Sequence, residues 1–412
     1  MFYKQLNTTE RTNFNHFVID VVWYGLGFAA TSRFLSVFAI RLGATPTELG
    51  WISSLPALFL LITSTLGSWW RNRYHTTLKA LMPVAFIVRL PFLLPAFAPL
   101  FPEKWRPLWI ILSVSLPALA QGLASVTFVV FMREASTDRM ITPLLSLRSL
   151  ALNVGVGIAA LVYGVWLETA PFPFNYQSMF VLAFFFTLMS QWHVSRCKVL
   201  TEPSVKSQKA ESPLVAWKSR TFQPVIFAAA IIHVAFTILV QIVSLYLIRH
   251  HGASEGFIAI FSMVELSAAA LIGLVTPRIV KAIGNRTMIG GAMVGTGIGV
   301  LIIALAPNIN LTLIGAVITG ASWTTAVSVG LFGFYMEAAP RENTAPYSAA
   351  YHQAIGLGAF IGPLIGGWLA DGGFSLVAVM VIGALARILA GILIEAPMAR
   401  RHSHEIAAKL AH

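Results

Sequence analysis

Long apolar runs recur along the whole chain, and they restrict the environment in which it can fold. Runs of the roughly 20 residues that a helix needs to cross a hydrocarbon core of about 30 Å fall near 16–40, 47–69, 78–98, 107–131, 143–168, 174–194, 222–248, 256–277, 287–306, 309–335, 346–369 and 373–396. Six precede a hydrophilic stretch from Arg196 to Phe222, and six follow it. The expectation is an all-α polytopic membrane protein with twelve transmembrane helices: a six-helix bundle over 1–195, a central linker over 196–222, and a second bundle over 223–412. Charged residues make up only 11% of the 412, against about a quarter in soluble domains. The mean hydropathy of +0.76 agrees.

A formal charge of +12 would suggest nucleic acid as the partner of a soluble protein. Here the distribution of the charge gives a different answer. With the N-terminus placed inside, inner segments hold twenty-one Lys and Arg, while outer segments hold only Arg41, Lys104, Arg106 and Arg249. That is the positive-inside bias of a membrane protein, so both termini are expected in the cytoplasm and no nucleic-acid role follows. The linker contributes Arg196, Lys198, Lys206, Lys209, Lys218 and Arg220, an inner anchor rather than a site. Ser212-Pro213 reads as a helix start there, with Leu214, Val215 and Trp217 placed to rest on the inner leaflet. No cleavable signal peptide is expected, because the first apolar run is too long and lacks a small-residue cleavage site. Cys197, the single cysteine, leaves no internal disulfide and no Cys-based metal site.

The two halves repeat each other. Ile40-Arg41-Leu42-Gly43-Ala44-Thr45 returns as Ile248-Arg249-His250-His251-Gly252-Ala253-Ser254, 208 residues on with one insertion. Arg133-Glu134-Ala135 returns as Met336-Glu337-Ala338, and Gly155-Val-Gly157 with Trp166-Leu167 returns as Gly356-Leu-Gly358 with Trp368-Leu369. Parallel repeats of six helices place a substrate site near the bilayer midplane at the repeat interface.

With these features the chain resembles the major facilitator superfamily over essentially its whole length. The family's loop signature after the second helix is represented by Gly67-Ser-Trp-Trp-Arg71-Asn-Arg73, with Arg71 where the family carries an aspartate. Its counterpart in the second half reads Gly273 to Pro277-Arg278 and Gly284-Asn285-Arg286. Gln121-Gly122 matches a pair in the fourth helix of proton-coupled exporters, with Ala118 at their arginine position. Gly362-Pro363-Leu-Ile-Gly366-Gly367 is similar to a run in the exporters' fifth helix. The resemblance implies two bundles related by a pseudo-twofold axis, transport by alternating access, and a cavity lined by helices 1, 4, 7 and 10.

Charged groups inside a bilayer are costly and point to function. Asp20 and Arg33 in helix 1, Arg89 in helix 3, Glu265 in helix 8 and Arg387 in helix 12 are such groups, joined by the polar Gln121, His233, Gln241, His352 and Gln353 and the aromatic Tyr24 and Trp323. Asp20 and Arg33 lie 13 residues apart, too far along one helix to pair. Asp20 reads either as half of an inner ion pair or as a proton-coupling group. Arg33 reads as an anion receiver or as a side chain snorkelling to the outer surface. Glu265 is a proton-loading carboxylate or a permanent partner of Arg387. His233 is a titrating group or a packing one, and Arg89 and Arg387 read as structural pairs. Arg71, Arg73, Glu134, Arg139, Arg278, Arg286, Glu337 and Arg341 sit at matching inner ends and read as a cytoplasmic gate, or as solvated loop charge.

The expected function is secondary active transport of a small organic solute by alternating access, as proton-coupled efflux of an amphipathic or anionic compound. A solute uptake carrier and a lipid scramblase or flippase on the same fold are the alternatives. Short loops argue against a membrane sensor. No Gly-x-x-x-x-Gly-Lys-Ser/Thr loop is present, so neither ATP nor any other cofactor is expected. The expected form is a monomeric non-enzyme surrounded by lipid in a plasma membrane of the bacterial inner type.

Overall fold

A segment immersed in lipid must satisfy its backbone hydrogen bonds internally, so each apolar run is helical. The computed structural model describes residues 6–200, 212–340 and 345–395, and among these there is no β-strand. In the first half α1 spans Thr8–Arg41, α2 Pro46–Ser64, α3 the bent pair Thr77–Phe92 and Leu94–Leu100, α4 Glu103–Glu134, α5 Arg139–Thr169 and α6 Phe174–Ser195. In the second, α7 spans Gln223–His251, α8 Glu255–Leu305, α9 Ile309–Ala338, α10 Pro346–Asp371 and α11 Leu376–Glu395. All are long and apolar enough to cross a membrane, α3 only as a bent pair. α8, at 51 residues, holds two of the expected spans and changes direction at Gly284, where φ is 80°.

Two departures from the expected pattern have local causes. Helix 3, expected as one span over 78–98 with kinks at Pro91 and Pro95, goes further and unwinds there, bending by 40°. Pro91 and Pro95 supply no backbone N–H to the turns before them, and the chain there tightens into 3₁₀ turns at Leu90–Phe92 and Leu94–Leu100. The segment from Arg278 to Arg286, expected as a loop, stays helical up to Gly284, because only the left-handed conformation of that one glycine interrupts the ladder.

Helix ends follow the sequence signals. Asn7 and Glu10 form a reciprocal capping box at the start of α1, each bond 2.8 Å. The repeated Arg41 and Arg249 motifs end α1 and α7 alike: Gly43 and Gly252 adopt φ of 88° and 66°. The following amides then return to carbonyls in the last turn, Ala44 to Ala39 at 2.9 Å and Ala253 to Leu247 at 3.0 Å.

By contacts the chain divides into two units. The first comprises Met1–Ala44, Leu55–Lys206 and Ser254–Ile260; the second comprises Thr45–Ser54, Ser207–Ala253 and Phe261–His412. The start of α2 thus packs with the second unit and the start of α8 with the first, a pseudo-symmetric exchange at the two repeated glycine turns.

In the first unit α1 lies against α5 and α6. Gly25 makes the crossing close, since a Cβ there would stand 3.0 Å from the Leu152 carbonyl oxygen. In the second unit α7 lies against α10 and α11, and Gly358, Gly362 and Gly366 face α7 in the same way. Large apolar side chains line the outside of both units, Leu274 at 76% exposure among them; the hydrocarbon of a bilayer is the solvent that suits them.

The described ends of the linker are fixed to the units. Asn13 receives the Lys198 amide on Oδ1 at 2.9 Å and donates to the carbonyls of Lys198 and Ala135 at 2.7 and 2.9 Å. The turn of helix at Leu214–Lys218 exposes Leu214 and Val215, while Trp217 donates to Gln353 at 2.9 Å. Lys206 and Lys209 lie outside the described residues.

Candidate functional site

The first unit contains a buried charge cluster built from four helices. Asp20 on α1 is 4% exposed, and both carboxylate oxygens are occupied. Oδ2 accepts from Arg148 of α5 at 2.8 Å, and Oδ1 from the Ser190 hydroxyl of α6 at 2.5 Å. Arg148 also donates to the Phe17 carbonyl and lies between the rings of Phe17 and Phe128, 5.8 and 5.3 Å from their centroids.

Ser190 in turn accepts from Arg89 at 3.4 Å. Arg89 sits where α3 breaks, so its side chain takes over part of the lost helical bonding: Nη1 donates to the Ala85 carbonyl at 2.7 Å and Nε to the Thr187 carbonyl at 3.2 Å. These groups line a cavity of about 230 Å³ together with Tyr24, Gln121, Gln191 and Phe128. Tyr24 is held there by stacking on Phe28 at 5.6 Å and by the edge of Phe92. Asp20 is thus half of a buried ion pair that faces a cavity. Arg33 lies 13 residues further along α1, in the π-helical turn Ala30–Phe34.

The second unit places its candidates differently. Trp323 of α9 stacks on Phe236 of α7, centroids 3.4 Å apart, and the His233 ring meets it edge-on at 5.6 Å. His233 is buried, and its Nδ1 lies 2.8 Å from the Ala229 carbonyl oxygen of its own helix, a packing arrangement. Arg387 donates to the Phe236 carbonyl at 2.8 Å and lies over the Phe236 ring at 4.3 Å. Glu265 lies within range of its charge, on a backbone pressed against Gly320 of α9. Gln241 donates to Ser53, His352 is exposed with Nδ1 2.8 Å from the Ser348 carbonyl oxygen, and Gln353 is engaged by Trp217. The structure therefore gathers Asp20, Tyr24, Arg89 and Gln121 around one cavity, and His233, Trp323 and Arg387 around one aromatic stack.

Among the described residues expected at the gate, Arg71 meets Glu134 in the first unit and Glu337 meets Asn285 in the second. Arg71 lies 3.6 Å from Glu134 and 3.1 Å from the Thr77 hydroxyl, which donates to Glu134 at 2.7 Å. In the second unit Glu337 accepts from Asn285 at 2.7 Å. Arg73 lies on the Trp69 ring, Arg286 donates to the Ile394 carbonyl, and Arg139 and Arg278 are exposed. Arg341 lies outside the described residues.

The sequence reading missed three groups. Arg148 was one of the twenty-one Lys and Arg assigned to inner segments, although it enters its apolar run to about the depth that Asp20 enters its own, and opposite charges at one depth are a pairing signal. Ser190 carried no signal. Glu255, within the first unit, accepts bidentately from Arg41 at 2.9 and 3.1 Å and from Tyr176 at 3.0 Å; Arg41 had been read only as an outer loop charge.

Comparison with known proteins places this arrangement. The chain is 33% identical over 142 residues to a uridine/deoxyuridine transporter of Lactococcus lactis subsp. cremoris (strain MG1363), a match covering 34% of this chain and 29% of that one. Among solved structures it superposes on a D-xylose-proton symporter with a TM-score of 0.73, at 13% identity over 94% of this chain and 97% of that one. It also superposes on the nucleoside transporter NupG with a TM-score of 0.70, at 12% identity over 94% and 98%. At such identities the likeness is one of fold. The family profile of the Major Facilitator Superfamily matches residues 14–363, and the chain is an integral membrane protein belonging to that family.

Proposed function

We propose that this transporter is a proton-linked carrier of a small organic solute, working by alternating access, with Asp20 as the proton-coupling group. The observation that carries the reading is the Asp20–Arg148 pair on the wall of the first unit's cavity. A carboxylate buried in lipid is tolerated when paired or protonated, and a cavity wall lets it exchange between those forms. While ionised, Asp20 holds Arg148 and Ser190; once protonated it releases the guanidinium, and the cavity changes charge and shape together. Arg148, Arg89, Tyr24, His193 and Cys197 are the other titratable or charged groups that act on Asp20. The partial likeness to a uridine/deoxyuridine transporter supports a solute of that size.

In this reading the lysine and arginine bias sets both termini in the cytoplasm of a plasma membrane. The Arg71–Thr77–Glu134 and Asn285–Glu337 contacts close the inner ends and rearrange when those ends open. The test uses proteoliposomes with a pH-sensitive dye inside and a panel of nucleosides, pentoses and organic acids outside. At least one solute should enter together with protons, and it should accumulate when an inward proton gradient is imposed. Entry of every transported solute without any proton movement would sink the proposal.

A further inference from the structure

The charges around the first unit's cavity do not cancel. Among the described residues lining it, Asp20 is the one carboxylate, against the guanidiniums of Arg89 and Arg148. Both oxygens of Asp20 are engaged, by Arg148 and by Ser190. Arg89, 9% exposed, donates to two backbone carbonyls and a hydroxyl, none of them charged. Those three bonds leave part of its five-donor fork open. A buried cation with no directly bonded anion carries a desolvation penalty that a bound anion would relieve, and the planar fork fits a carboxylate or phosphate in particular.

From this geometry we propose that the cavity takes an organic anion, its acid group on the Arg89 guanidinium and its apolar part against Tyr24 and Phe128. The proposal rests on the same cavity as the proton-linked carrier and names the class of its solute. It also makes the two cargoes cooperative. Ionised Asp20 opposes an incoming anion, and protonated Asp20 does not, so proton and anion each raise the affinity for the other. The charged and titratable groups around this linkage are Asp20 and Tyr24 on α1, Arg89 on α3, Arg148 on α5, His193 near the end of α6 and Cys197 just beyond it.

The experiment measures binding to the purified full chain in nanodiscs with matched pairs of probes: nicotinate against nicotinamide, and uridine monophosphate against uridine. At least one acid should bind about tenfold more tightly than its neutral partner, the scale of one charge-assisted hydrogen bond. Its affinity should rise further when the opposing carboxylate is made neutral, so Asp20→Asn should bind the acid more tightly than the unaltered chain. Arg89→Gln should abolish the preference. Because Arg89 also bonds the Ala85 carbonyl, Arg89→Lys is the control: it keeps the charge and should keep the preference, whereas a purely structural role would make the two variants alike. Neutral probes binding as tightly as the acids, or no acid binding at all, would overturn the proposal. Neutral binding with proton-linked entry intact would overturn only the anion site, while acid binding unchanged in Asp20→Asn would instead count against Asp20 as the proton group.

Discussion

The two units share a scaffold and differ in chemistry. Both end their first helix on a left-handed glycine, at Gly43 and Gly252, and both cross helices closely through glycine. Yet Asp20 is answered, 208 residues on, by the buried Ala228, and Arg148, 201 residues on, by Ala349. Where the first unit has an ion pair on a cavity wall, the second has the Phe236–Trp323 stack. Phe28 and Phe236 occupy equivalent places, one stacked on Tyr24 and the other on Trp323. The repeat therefore preserves what positions helices and leaves free what fills the space between them.

The largest effect should come from breaking the ion pair on one side only. Asp20→Ala strands Arg148 in a buried site and should cost about 3–5 kcal/mol, read as a fall in thermal unfolding temperature. Removing both partners in Asp20→Ala/Arg148→Ala should recover much of that loss, because no uncompensated charge remains. The corresponding break in the second unit is smaller. Trp323→Ala, at a half-buried position, should cost about 2–3 kcal/mol through lost packing and stacking, and should leave the pH dependence of transport unchanged.

Glu265→Gln separates the units further. If the proton linkage resides in the first unit, this variant weakens the field on Arg387 and lowers stability slightly, while gradient-driven accumulation persists. Loss of accumulation in Glu265→Gln would move the proton site to the second unit. The smallest effect concerns Cys197, just beyond α6. Burial pushes its thiol up to about 12, so at neutral pH a maleimide reagent should leave it unmodified until the protein is unfolded. The native chain is then a clean background for cysteine probes placed at Glu134 and Glu337.

The bilayer made the spans legible, because lipid demands long apolar runs whatever the tertiary packing. The repeat was legible for a similar reason: glycine turns and close crossings need particular residues at particular places. Partnerships between helices were not, since they depend on how far each helix is rotated about its axis. Asp20 was identified and its partner was not; Arg148 looked like a loop charge because the start of an apolar run is blurred by a turn of helix. Arg89 read as a structural pair with an unnamed carboxylate, and its bonds instead go to Ala85, Thr187 and Ser190. The break in α3 at Pro91 and Pro95 aims it there; Pro56, Pro91, Pro95, Pro117 and Pro363 all read as kinks in the sequence, with no indication of which would unwind the helix.

The central claim is that protons are coupled through Asp20 in the first unit. Its most direct test is Asp20→Asn in proteoliposomes, which keeps the side-chain shape and removes the titration. Accumulation driven by a proton gradient should be lost, while exchange of labelled for unlabelled solute across the membrane continues. Accumulation at the level of the unaltered chain would contradict the account.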